Sequence, residues 1–141
     1  MENNVFISIK GTQTADGDKN IVEYKTEGSL EIKGGAYLLS YIEPDEDGRD
    51  IETVIRLADD SVAIKRSGAM GQTMLLRKGE RHLCQYTTLF GEMLLGVNTH
   101  SLKYKMSEAG GHISVKYDLE FNSSLLSENS LSVSVKPRAA D

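Results

Sequence analysis

In Ser130-Leu131-Ser132-Val133-Ser134-Val135, serine alternates with an aliphatic residue. That period of two constrains the fold more than any other feature of the chain. A strand turns successive side chains to opposite faces, so one face of this segment is apolar and the other polar. A helix would scatter the same residues around its axis. The preceding segment repeats the pattern. Ile113, Val115, Tyr117, Leu119 and Phe121 share one face, and Ser114, Lys116, Asp118 and Glu120 share the other. Upstream, Val5, Ile7 and Ile9 alternate with Phe6, Ser8 and Lys10, and Ile51, Thr53, Ile55 and Leu57 alternate with Glu52, Val54 and Arg56. Parity tells which residues share a face, but not which face is inside.

Turn signals punctuate these runs: Asp16-Gly17, Gly34-Gly35, Asp47-Gly48, Asp59-Asp60, Lys78-Gly79, Gly110-Gly111 and Glu128-Asn129. Two-residue connections join antiparallel neighbours, and parallel pairs would need crossovers for which there is no room. The spacing predicts strands near 3–10, 20–33, 36–43, 51–58, 61–67, 71–78, 81–88, 91–98, 101–107, 112–122 and 129–136, roughly ten in all. Residues 122–130 read as one helical turn before the last strand, and residues 138–141 as a frayed tail. So many strands in an open sheet would leave long bare edges, which closure removes. The expected fold is all-β, an antiparallel up-and-down barrel of about 8–10 strands. Residues 1–141 read as one domain, a length that can bury a core without staples.

Charge narrows the partners. The chain has 16 basic and 21 acidic residues, a net charge of −5, and its basic residues form no run. That sign disfavours nucleic acid. Cys84 is the only cysteine, so no intramolecular disulfide forms, and the N-terminal residues lack the basic start and apolar stretch of a signal peptide. No window is apolar enough for a membrane helix. The expected setting is cytoplasmic, with monomer or homodimer left open.

Few residues suggest chemistry. His82 and Cys84 share a strand face with Tyr86 and Thr88. They read either as a packed thiol beside a satisfied histidine or as a catalytic or metal pair. A zinc site needs a third protein ligand, and nothing aligns His100 or His112 with them. Arg66 has the parity of Val62 and Ile64. An inward arginine is either an anion clamp for a carboxylate or phosphate, or a plug capping carbonyls at a closed end. Gly68-Ala69-Met70-Gly71 is not followed by a helix, so it is no phosphate loop. The acidic run Glu43-Pro44-Asp45-Glu46-Asp47-Gly48 lacks calcium-loop spacing and reads as a solvated turn. No hydrolase or metalloprotease motif is present, and no cofactor or metal is expected.

From Arg66 to Tyr117 the chain resembles the YwiB-like family of bacterial lipocalin-like (calycin) barrels. Arg66-Ser67-Gly68, Met74 and Lys78-Gly79 lead in. Tyr86-Thr87-Thr88-Leu89-Phe90-Gly91 is similar to that family's Tyr-x-Thr-Pro-Tyr-Gly hairpin. Gly96-Val97-Asn98-Thr99 and Gly110-Gly111 through Tyr117-Asp118-Leu119 continue it. Leu89 stands where the family has proline, Phe90 where it has tyrosine, and the Gly-x-Trp of secreted lipocalins is absent, as the chain has no tryptophan. The resemblance implies a lipocalin-like barrel and no activity. It singles out Arg66, Tyr86 and Thr88 as shared polar positions.

Three functions follow as expectations. In the first, the barrel binds a small anionic or amphipathic ligand through Arg66, His82, Tyr86 and Thr88, against a wall of Met74, Met93 and Leu95. In the second, the barrel is filled with side chains and serves as a non-catalytic interaction or structural module. An enzyme, with His82 as base, comes third.

Overall fold

A computed structural model describes residues 3–44, 48–67, 72–88 and 91–138, apart from the side chains at 44, 87 and 88. Among the described residues ten strands form: β1 (Val5–Ala15), β2 (Asp18–Lys33), β3 (Ala36–Pro44), β4 (Asp50–Ala58), β5 (Ser61–Ser67), β6 (Gln72–Arg77), β7 (Arg81–Thr88), β8 (Gly91–Ser107), β9 (Gly110–Phe121) and β10 (Ser124–Pro137). Each pairs antiparallel with the next, and β1 pairs with β10, so the sheet closes on itself. This is the all-β up-and-down barrel that the alternation predicts.

The aliphatic parity faces inward. Ile7 and Ile9 stand opposite Val135 and Val133, and Ile55 opposite Ile64. Leu39, Leu57, Val62, Leu76, Val115 and Val133 are fully buried. Each such side chain contributes about 1.5–3 kcal/mol by leaving water. Lys10, Lys25, Arg56, Lys65 and Lys116 occupy the outward parity of their strands and are exposed or partly exposed. Among the described residues no helix is long and apolar enough to cross a membrane.

Primed turns fit the right-handed twist of hairpins, and they need positive φ at both central residues. Gly34-Gly35 and Asp16-Gly17 supply it, and so do Asn122 and Ser123, at φ 51° and 66°. The last pair corrects the sequence reading. Residues 122–130 form no helical turn, because β10 begins directly at Ser124, and Glu128-Asn129 lies inside it. Likewise 91–98 and 101–107 are one strand. The register shift between Thr99 and Ser101 leaves His100 as a bulge, which lets the strand bend without ending. Gly110 and Gly111 belong to β9, not to its turn. A Cβ on Gly111 would meet the Lys105 carbonyl, and one on Gly110 the Val135 carbonyl. Their role is close approach of three strands. The Asp45–Asp47 part of the acidic run, the segment Gly68–Gly71, Leu89, Phe90 and the tail after Arg138 lie outside the described residues.

One seam is thin. Between β6 and β7, among the described residues, only Gln72 and Tyr86 pair in register. The Cys84 thiol donates to the Thr73 carbonyl across that gap, at 2.7 Å. The connection after β6 anchors instead on β8, where the Gly79 amide donates to the Thr99 carbonyl and the Thr99 amide to the Glu80 carbonyl.

Candidate functional site

The interior changes character along the barrel axis. Successive pairings run Tyr41, Thr53, Arg66, Gln72, Tyr86 and Met93 across β3 to β8, a rung in which only Met93 lacks a polar group. The rung beneath it, Leu39, Ile55, Ile64 and Met74, is apolar and buried. A polar row directly above a packed core marks where the barrel stops being filled. Above it opens a cavity of about 470 Å³, within the size range of ligand sites.

Glu43 and Arg66 are the charged residues among the described lining. Glu43 continues the inward parity of Tyr37, Leu39 and Tyr41 on β3. Its Oε2 accepts from the Tyr24 hydroxyl at 2.6 Å, and its Oε1 from Thr53 at 3.1 Å. The Arg66 Nε lies 3.7 Å from Glu43 Oε1. That is an ion pair but not a hydrogen bond, and Nε is buried with no hydrogen-bond partner. A buried guanidinium donor without a partner costs free energy; the Arg66 side chain as a whole is 39% exposed.

Tyrosines surround the pair. Tyr24, Tyr86 and Tyr117 line the cavity, and the Tyr24 ring tilts against that of Tyr41, with centroids 6.5 Å apart. Burial raises the pKa of all four above the ordinary tyrosine value, and the hydrogen bond to Glu43 raises that of Tyr24 further. Arg66 pulls Tyr86 and Tyr117 partly back. At neutral pH these hydroxyls are uncharged donors and acceptors. Ile9, Val22, Ile51, Leu119 and Leu131 complete the wall.

Of the four residues singled out in the sequence, Arg66 and Tyr86 meet in this cavity. His82 holds the same inward row of β7 beyond Cys84, does not line the cavity, and places its Nε2 3.4 Å from Glu80 Oε1. Thr88 ends β7, and its side chain lies outside the described residues. Met74 and Leu95 are core residues, and Met93 is half-buried opposite Tyr86. Arg66 faces a carboxylate, where the plug reading had it capping carbonyls. Cys84 is packed, and burial raises its thiol pKa. Glu43, Tyr24 and Tyr117 were missed as site residues. Parity alone could have found Glu43, but the acidic run that follows it hid the signal.

No group of three potential metal ligands occurs among the described residues. A second, outward groove of about 440 Å³ shares Tyr117 and Asn129 with the cavity and holds His100, whose Nε2 is 2.7 Å from Asp118.

A family model described as a domain of unknown function (DUF1934) matches residues 7–133. The uncharacterized β-barrel protein YwiB of Bacillus subtilis (strain 168) is 28% identical over 118 residues, covering 84% of this chain and 82% of that one. The crystal structure of the ywiB protein from Bacillus subtilis superposes with a TM-score of 0.87 over 97% of this chain and 93% of that chain. At 23% identity that likeness speaks for the fold alone.

Proposed function

We propose, from the premise that this chain belongs to the DUF1934 family of YwiB-like barrels, that it is a non-catalytic, cytoplasmic small-molecule carrier or sensor. Its site is the cavity above the polar rung, with Arg66 and Tyr86 as contacts, joined by Glu43, Tyr24 and Tyr117. The observation that carries this reading is the Arg66–Glu43 ion pair, held at 3.7 Å without a hydrogen bond and lining an open cavity of about 470 Å³. A barrel evolved only for stability would fill such a space or close such a pair. The uncharged tyrosine hydroxyls and apolar wall suit a ligand that is polar at one end and apolar at the other.

Native mass spectrometry of gently purified protein tests it, before and after incubation with a metabolite extract. The expected result is a non-covalent small-molecule adduct on the wild type that is lost in Arg66→Gln. Only the ligand-free mass under both conditions would overturn the reading.

A second reading has its own observation. Leu75, Leu83 and Leu94 point outward on β6, β7 and β8 at 39%, 61% and 56% exposure. They straddle the thin seam and supply an apolar stripe of the kind that binds another protein. A sedimentation profile shifted by Leu83→Glu would favour it.

A further inference from the structure

We infer that the cavity takes a zwitterionic α-amino acid with an apolar side chain; this rests on the small-molecule reading above and specifies its ligand class.

The charge of the site sets the first constraint. Arg66 and Glu43 cancel, so the described lining is neutral. A simple anion would gain Arg66 and be repelled by Glu43, and a simple cation the reverse. A ligand carrying both charges meets both partners at once.

Spacing sets the second. The Arg66 Nε and Glu43 Oε1 stand 3.7 Å apart, side by side and not locked in a hydrogen bond. An α-ammonium and an α-carboxylate share one carbon, so their polar atoms lie roughly 3 Å apart from the N–Cα and Cα–C bond lengths. A longer zwitterion would separate its charges beyond the pair.

Hydrogen-bond capacity sets the third. A carboxylate has about four acceptor positions. Tyr24 occupies one on Glu43 Oε2 and Thr53 one on Oε1, so each oxygen, including the Oε1 beside Arg66, keeps a position for an ammonium N–H. The Arg66 side chain is 39% exposed, so its outer guanidinium N–H groups are the matching donors for a carboxylate oxygen. Ile9, Ile51, Leu119 and Leu131 then receive an aliphatic or aromatic side chain.

The test is an amide-resolved NMR titration with three probes of one shape: L-leucine, 4-methylpentanoate and 3-methylbutylamine. Wild type, Glu43→Gln and Arg66→Gln are compared, with circular dichroism to confirm folding. L-leucine is expected to shift the Arg66, Tyr86 and Tyr117 amides and to bind at least tenfold more tightly than either half-charged probe. Glu43→Gln should erase its advantage over the acid, and Arg66→Gln its advantage over the amine. If 4-methylpentanoate binds as tightly as L-leucine, the site takes anions; the zwitterion assignment falls and the cavity reading stands. If no probe shifts those amides, the assignment also falls, and the adduct seen or not seen in native mass spectrometry decides the cavity reading separately. Should a variant fail to fold, the ranking of the three probes on wild type decides alone.

Discussion

Single residues set the closest tolerances in this barrel. Gly111 is wedged between β8 and β10 where a Cβ would meet the Lys105 carbonyl and the Met106 Cα, both backbone. Neither can rotate away as a side chain tip could. Gly111→Ala should therefore cost about 3 kcal/mol and lower the urea midpoint without changing the slope. Gly96 is a milder case, since the added Cβ would meet only the mobile end of Arg81, which reaches across β8 to Glu120 on β9 at 3.2 Å. Arg66 and Tyr86 were legible in the sequence because parity places them with Val62, Ile64 and Cys84. Glu43 was not, because charge suggested a solvated turn where position on the strand decided otherwise. The space that leaves Arg66 Nε unpartnered depends on residues from distant strands, and no local window contains it.

At the scale of elements, alternation and turn chemistry revealed nearly every strand. They failed at β8, where Asn98-Thr99-His100 has the composition of a turn but forms a bulge. Whether the chain turns or bends there is settled by pairing with β9, which is non-local. They were equally silent on the β6–β7 seam, whose weakness lies in missing register. Cys84 offers a direct probe of it. Its thiol is buried and its pKa raised, so it resists alkylation in the closed barrel. Among the described residues, separating β6 from β7 breaks one paired position and the Cys84–Thr73 hydrogen bond. Labelling of Cys84 under native conditions should therefore report an opening free energy well below that of global unfolding. Equal values would mean the seam opens only with the whole barrel.

The whole molecule couples its interior to pH. Tyrosines in the unfolded chain ionise near pH 10, while burial holds Tyr24, Tyr41, Tyr86 and Tyr117 protonated above that in the barrel. Above about pH 10 the folded state thus retains protons that the unfolded state releases. Stability is full below that pH and falls as pH rises, by up to about 1.4 kcal/mol per pH unit for each such tyrosine. Thermal melts from pH 8 to 12 should show that decline, and Tyr86→Phe should make it shallower.

Closure by the two end strands also orders events in time. As the chain emerges from a ribosome, β1 finds β2 at once, yet its other edge waits for β10, the tenth strand in chain order. Until then nine strands form a curled sheet with two open borders, at β1 and at β9. Any chaperone that attends the chain at that stage meets those borders, and the arrival of β10 is what seals the cylinder.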